Sequence, residues 1–327
     1  MANWPFRHGV QDIGNGVYGY VQPDGTWGWS NAGLVTSQGE TLLVDTLMSV
    51  PLTRDMLAEF ARVPGGDSID MVMNTHANPD HFFGNGVVEG AEIIATATTR
   101  HEMEGFNPRA LANLSANWQD MGEAGEFLFE TMGRQFDFSG VDELTLPTRT
   151  FDKALTLKVG DKTVELTDLG PAHTDSDTIA HVVEDRTVFT GDLMFNEGHP
   201  IVWAGPFDNW IAACEHIIAL DPAVVVPGHG PICDVENVRT LKGYFEHLRR
   251  EARGRFEAGM DWRAAARDIP IKEYAHWTDP ERVVANVYSL FKGWDPGLEP
   301  APPPVLFAEM NRYRKEHHAA HGCSHAH

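Results

Sequence analysis

The stretch Met71 to Asn85, MVMNTHANPDHFFGN, decides how the rest of the chain is read. It opens as a short apolar run of the kind that forms a buried strand. It then breaks into His76, Asn78, Asp80 and His81, four metal-capable groups within six residues. Imidazole and carboxylate suit zinc or iron, and such a density of them has little structural use. Working outward, the same grammar recurs. LLV ends in Asp45, VFTG ends in Asp192, VVVPG ends in His229, and His173 sits in the loop GPAHTDSD. In each case a buried strand delivers a polar residue to a loop, and such loops can converge at one sheet edge. Singly, each has a plain alternative. His229 between glycines reads as a hydrogen-bonded structural residue, and Asp192 after Thr190-Gly191 reads as a cap. As a set of five segments in this order, they read as a metal site.

The flanking sequence supplies the scaffold. GVYGYVQPDGTW (16–27) predicts a hairpin turning at Pro23-Asp24-Gly25. NAGLVTSQGETLLVDT (31–46) predicts a second, turning at Gln38-Gly39. Gly14-x-Gly16 reads as a turn and not a phosphate loop, because no helical pattern follows it. PLTRDMLAEFARV (51–63) is an amphipathic helix, and AEIIAT (91–96) another strand. From about 98 to 138 the pattern is helical and rich in Met, Phe and Leu. ALTLKV, VELTDL, TIAHVVE and TVFTGD then read as four short strands, followed by a helix near 208–220 and the strand AVVVP. From Val235 to about Lys292 the chain is mostly helical, and EPAPPPVLF opens a Pro-rich arm and frayed tail. Two β-rich blocks, each ending in helices, suggest two packed sheets with helices outside.

Composition narrows the function classes. Of 327 residues, 42% are hydrophobic and 22% charged, as in a well-packed globular protein. The formal charge of −22, from 25 basic and 47 acidic side chains, repels phosphate backbones and anionic lipids. Nucleic-acid and membrane partners are therefore not expected, and a small-molecule substrate is. No apolar run reaches the roughly 18 residues of a membrane span, and the start does not read as a secretory signal. Cys214, Cys233 and Cys323 are too few and too scattered for a disulfide framework, so the expected location is the cytoplasm.

The order Asp, His-x-His-x-Asp-His, His, Asp, His resembles the signature of the metallo-β-lactamase fold superfamily, over roughly residues 10–235. The resemblance implies an α+β fold, a four-layer αββα sandwich with the metals in a cleft at one edge of the sheets. To that core this chain adds a helical insertion over 98–140, a candidate lid. A helical extension over 236–300 and a Pro-rich arm with a His-rich tail over 301–327 follow. The extension is a candidate homodimer contact. The tail KEHHAAHGCSHAH holds five histidines able to bind stray metal. By resemblance, His76, residue 78 and His173 form a first metal site. Asp80, His81 and His229 form a second, with Asp192 between the two and Asp45 behind them fixing the loop.

This chain departs from the family pattern at Asn78, where histidine is usual. An amide is a poorer zinc ligand than imidazole. The first site keeps two strong donors, short of the three protein ligands typical of catalytic zinc. The expectation is one zinc per chain, held by Asp80, His81, Asp192 and His229. Two zincs, or iron, are the alternatives. His76, Asn78, His173 and Asp192 are then the catalytic candidates, handling water, protons and substrate. The expected reaction is hydrolysis by a metal-bound hydroxide. The substrate is a small apolar or aromatic ester, lactone or thioester, or an activated aryl chloride undergoing hydrolytic dehalogenation. Asp192, in place of cysteine at the bridging position, resembles the broad hydrolase branches such as glyoxalase II-like enzymes. Asn196, His199 and Trp203, in the segment after Asp192, are the substrate-pocket candidates. An iron-dependent oxygenase or redox enzyme on the same fold and a non-catalytic binding protein are the competing classes.

Overall fold

The computed structural model describes residues 4–321, with side chains described through residue 317. Among these residues, twelve strands form two sheets. The first holds β1 (Gly9–Gly14), β2 (Val17–Val21), β3 (Ala32–Ser37), β4 (Glu40–Val44), β5 (Met71–Met73), β6 (Glu92–Thr96) and β7 (Arg149–Phe151), side by side in chain order. Strands β1 to β4 pair antiparallel, and β4 to β7 pair parallel. The second sheet holds β8 (Ala154–Val159), β9 (Lys162–Asp168), β10 (Thr178–Val182), β11 (Thr187–Phe189) and β12 (Val224–Val226). Only its last pair, β11 with β12, is parallel.

Parallel pairs need crossovers, and here the crossovers are the covering helices. α1 (Val50–Phe60) returns the chain from β4 to β5. Ser49 caps it by accepting from Leu52 N, and Val50, Thr53, Met56 and Phe60 give it one buried face. Met56 and Phe60 pack with Tyr20, Leu34 and Leu43 on the outside of the first sheet. A single turn, α2 (Pro79–Phe82), follows β5, and α3 (Ala97–Glu104), α4 (Ala110–Asn117) and α5 (Gly122–Leu128) lie between β6 and β7. α6 (Phe207–Ala219) and α7 (Val235–Glu257) cover the second sheet, and α8 (Trp262–Asp268), α9 (Val283–Trp294) and α10 (Pro303–His321) complete the extension. The result is the expected αββα sandwich with a helical C-terminal extension.

Between the sheets, Val35, Leu42, Val44 and Met73 meet Leu166, Ala180, Val182 and Phe189. The two sheets come close at Gly33. A Cβ there would lie 2.0 Å from Phe189 Cε1, so the position admits no side chain without moving a core ring.

Two readings need correction. The hairpin at Pro23-Asp24-Gly25 does not form. β2 pairs with β1 across Asn15-Gly16 and with β3 on its other side, so residues 22–31 are a loop. Gln22 closes that loop, its Nε2 donating to Ser30 O and its N to Asn31 Oδ1. Trp27 and Trp29 are thereby freed from any sheet. The Pro-rich arm is no arm from Pro303 onward. Pro303 and Pro304 occupy the first turn of α10, where a missing N–H costs nothing. Leu306, Met310 and Tyr313 then bury one face of it. The rest of the tail, 322–327, lies outside the described residues. β7 went unread because three residues carry no usable period. No helix among the described residues is long and apolar enough to cross a membrane.

Gly33→Ala is expected to destabilise the fold by about 1–3 kcal/mol through overpacking against Phe189. Thermal or urea denaturation beside the unchanged protein checks it. An unaltered transition would mean that the sheets have slack at this point.

Candidate metal centre

The ligands gather where strands end. Asp45 follows β4, His76 follows β5, and Asp80 and His81 lie on α2. His173 lies between β9 and β10, Asp192 in the 3-10 turn Gly191–Leu193 after β11, and His229 after β12. Close packing at this edge depends on glycine. A Cβ on Gly228 would lie 2.1 Å from Asp192 Oδ1.

Each histidine has one ring nitrogen committed. His81 Nδ1 donates to Asp45 Oδ2 at 2.9 Å, and His173 Nδ1 to Ile201 O at 2.7 Å. His229 Nδ1 donates to Gly25 O at 3.1 Å. Thr75 Oγ1 donates to Asp45 Oδ2, so it can only accept from His76 Nδ1, 2.9 Å away. With every Nδ1 carrying the proton, all four Nε2 atoms present lone pairs to the same space. They meet carboxylates there. Asp192 Oδ1 lies 3.1 Å from His81 Nε2 and 3.5 Å from His229 Nε2. Asp192 Oδ2 lies 3.2 Å from His173 Nε2 and 3.8 Å from His76 Nε2. Asp80 Oδ2 lies 3.3 Å from His229 Nε2.

Acceptors facing acceptors in a buried space call for a cation. Among the described residues, His76 Nε2, His81 Nε2 and Asp192 Oδ1 are buried without a hydrogen-bond partner. Two ligand triplets result: His76, His173 and Asp192, and Asp80, His81 and His229. The donor set fits a divalent metal, and the Nδ1 anchors are the outer support that metal-binding histidines require. The titration directions agree. Burial pushes His81 down, but Asp192, Asp80 and Asp45 outweigh it and hold the imidazole well above its ordinary value. His229 is likewise brought to about 9, burial being outweighed by Asp192 and Asp80. Burial would raise Asp192, yet His229, His81 and His173 hold it well below the usual carboxylate range. His76 is lowered by burial and by the neighbouring His81. The carboxylates thus demand positive charge, which protons or a metal can meet.

Over the ligands lies a cavity of about 1090 Å³, onto which Asn78, Asp80, His173, Asp192 and His229 open. The insertion contributes Phe106, Leu111 and Met132 to its walls, and α10 contributes Leu306 and Phe307. Trp203 lines it as read from the sequence. Asn196 and His199 do not. Asn196 follows Phe195, which bridges to His229, and so it points to the opposite side. Its Nδ2 donates to Pro231 O. His199 is fully buried, with Nδ1 3.2 Å from the Tyr244 hydroxyl and its ring against Trp277. Among the lining residues that sequence reading did not single out are Trp27, Glu102 and Arg282. Burial, with the charge of Asp175, pushes the Glu102 carboxyl up to about 7. Trp27 was assigned to a strand, and nothing in the sequence ties Glu102 or Arg282 to the ligands.

The sandwich and its converging side chains define a candidate metal centre at one edge of two packed sheets. Residues 25–229 match the metallo-beta-lactamase superfamily, and the chain belongs to it. Among solved structures, the stereoselective inverting sec-alkylsulfatase Pisa1 from Pseudomonas sp. aligns with 90% of this chain at 15% identity and a TM-score of 0.64. This chain spans 52% of that protein's length. A metallo-beta-lactamase from Pontibacter korlensis aligns with 73% of this chain and 99% of its own, at 17% identity and a TM-score of 0.53. TMB-1 aligns with 72% of this chain and 96% of its own, at 18% identity and a TM-score of 0.52. At these identities the likeness is one of fold. No curated protein sequence matches the chain.

Asp45→Ala removes the acceptor that orients His81 and, through Thr75, His76. Metal affinity is expected to fall about 10–100-fold, read by competition with a coloured chelator. Affinity within twofold of the unchanged protein would refute the anchoring role.

Proposed function

We propose that the protein is a zinc hydrolase holding one metal per chain at Asp80, His81, Asp192 and His229. The substrate is small and apolar or aromatic. One observation carries the single-metal reading: Asn78 Nδ2 lies 2.9 Å from His173 Nε2. His173 has its proton on Nδ1, facing Ile201 O. Its Nε2 is therefore an acceptor, and only the amide N–H₂ of Asn78 can be the donor. The lone pair that a first-site metal would use is already taken by Asn78.

A bound zinc supplies a Lewis acid and a water of lowered pKa. The chain's own residues do the rest. Asp192 turns Oδ1 toward the metal site and Oδ2 toward His173 and His76, so it can orient the attacking water. His173, neutral and open to the cavity, accepts a proton at Nε2 once Asn78 shifts to substrate. The Asn78 amide, at the cavity floor, donates to negative charge developing on the substrate. The apolar walls keep water out and select an apolar body. Esters, lactones, thioesters and activated aryl chlorides fit this chemistry. Sulfate esters join them, because the alkylsulfatase aligns across the extension as well as the core.

Metal content is the test. After dialysis against a weak chelator, plasma mass spectrometry is expected to find about one zinc per chain. Asn78→His is expected to bring a second. His81→Ala and His229→Ala are each expected to lose metal and hydrolysis together. Two zincs in the unchanged protein would overturn the role given to Asn78, and iron would move the search to oxygen-dependent chemistry.

A further inference from the structure

Phe195 lies flat on the His229 imidazole, with ring centroids 5.0 Å apart and planes 3° from parallel. Beside it stands Arg282, whose guanidinium carbon is 5.1 Å from the Phe195 centroid and 4.4 Å from that of Trp27. Arg282 comes from the extension, in the 3-10 turn Pro280–Arg282 just ahead of α9, and is only 2% exposed. Its Nη1 donates to His199 O at 3.0 Å, and its Nη2 lies 3.0 Å from Asp279 Oδ2. The adjacent Glu281 is also buried, and its Oε1 accepts from Trp27 Nε1 at 2.9 Å. Two residues before Trp27, Gly25 O takes the Nδ1 proton of His229.

These contacts close a ring. From His229 they pass to Phe195, then to Arg282 and Trp27, and back through Gly25 to His229. Three separate parts of the chain meet in it: the 22–31 loop, the segment after Asp192 and the extension. Burying charged side chains is costly, and an extension that packs through apolar helices has no need of them for cohesion. Here they stack on, or hydrogen-bond to, two aromatic side chains, of which Phe195 stacks on His229 and Trp27 lies two residues from the carbonyl that anchors that imidazole.

We propose that Arg282 and Glu281 are positioning residues for His229. They fix Phe195 against one face of the imidazole and hold the Gly25 carbonyl on its Nδ1, so the extension sets the geometry of a centre whose ligands all lie in the core. The proposal rests on the metal-centre reading above.

The test is cobalt(II) binding to full-length protein stripped of metal. Affinity is read by chelator competition and ligand geometry by the visible absorption band. Arg282→Met is expected to weaken cobalt binding about 10–100-fold and to change the band. Arg282→Lys keeps the charge that Asp279 faces but loses the flat group spanning the two rings. It is expected to fold, to bind several-fold more weakly and to show the same spectral change in smaller measure. Glu281→Leu removes the acceptor that holds Trp27 Nε1 and is expected to weaken cobalt binding several-fold. Arg263→Met is the control. Arg263 stacks on Trp262 at 4.2 Å and pairs with Glu309, within the extension. It is expected to lower the melting temperature and leave cobalt binding alone. Cobalt binding and a band unchanged in both Arg282 variants would overturn the proposal. So would an equal loss in Arg263→Met, which would mark the effect as general loosening. An unchanged protein that takes up no cobalt would instead bring down the metal-centre reading, and this inference with it.

Discussion

The Asp45 carboxylate accepts three hydrogen bonds: from Thr75 N, from the Thr75 hydroxyl and from His81 Nδ1. It is fully buried at the end of β4, and burial raises its pKa against the pull of His81. Those bonds tie β4 to the loop after β5, pass through Thr75 to His76, and set which nitrogen of His81 faces the cavity. One side chain thereby decides the tautomers of two ligands. A carboxylate in that position is tolerable only while its donors stay in place, so the strand ends, the ligand loop and α2 are held as one unit. The parallel order of β4 and β5 is what brings Asp45 alongside Thr75 in the first place.

The centre divides unevenly around Asp192. On one side are two histidines, an aspartate and no obstruction. On the other, two histidines face an amide that already occupies one of them. The asymmetry is chemical and not a matter of space, since both triplets are equally buried. Asparagine in the ligand motif thus leaves the scaffold intact and gives one of its histidines a hydrogen-bond partner.

Much of this was legible in the residues. Strands β3, β4, β8, β9 and β10 alternate or run apolar between clear turns, and α1 announces itself through its cap and period. The ligand segments could be picked out because metal-capable groups repeat at strand ends. What could not be read has physical causes. Trp27 sits in a run that looks like strand, yet β2 already has a neighbour on each side and the aromatic has no sheet to join. Asn196 and His199 lie near the ligands in sequence, but Asn196 turns to the side opposite Phe195 and donates to Pro231 O, while His199 packs into the extension against Tyr244 and Trp277. Arg282 and Glu281 reach the centre from the far end of the chain, and only tertiary packing makes that approach. In α10, local composition suggested an arm, and the apolar spacing beyond the prolines outweighed it.

The insertion that walls the cavity leaves the first sheet after Thr96 and rejoins it at Arg149, which pairs with Ile94 in the parallel strand. A parallel pair is joined by a crossover whose length is free, because lengthening a loop costs little once its ends are fixed. Ancestral gains or losses of helix at this junction could therefore reshape the chamber while the pairing of β6 and β7, and the ligands beyond them, kept their register.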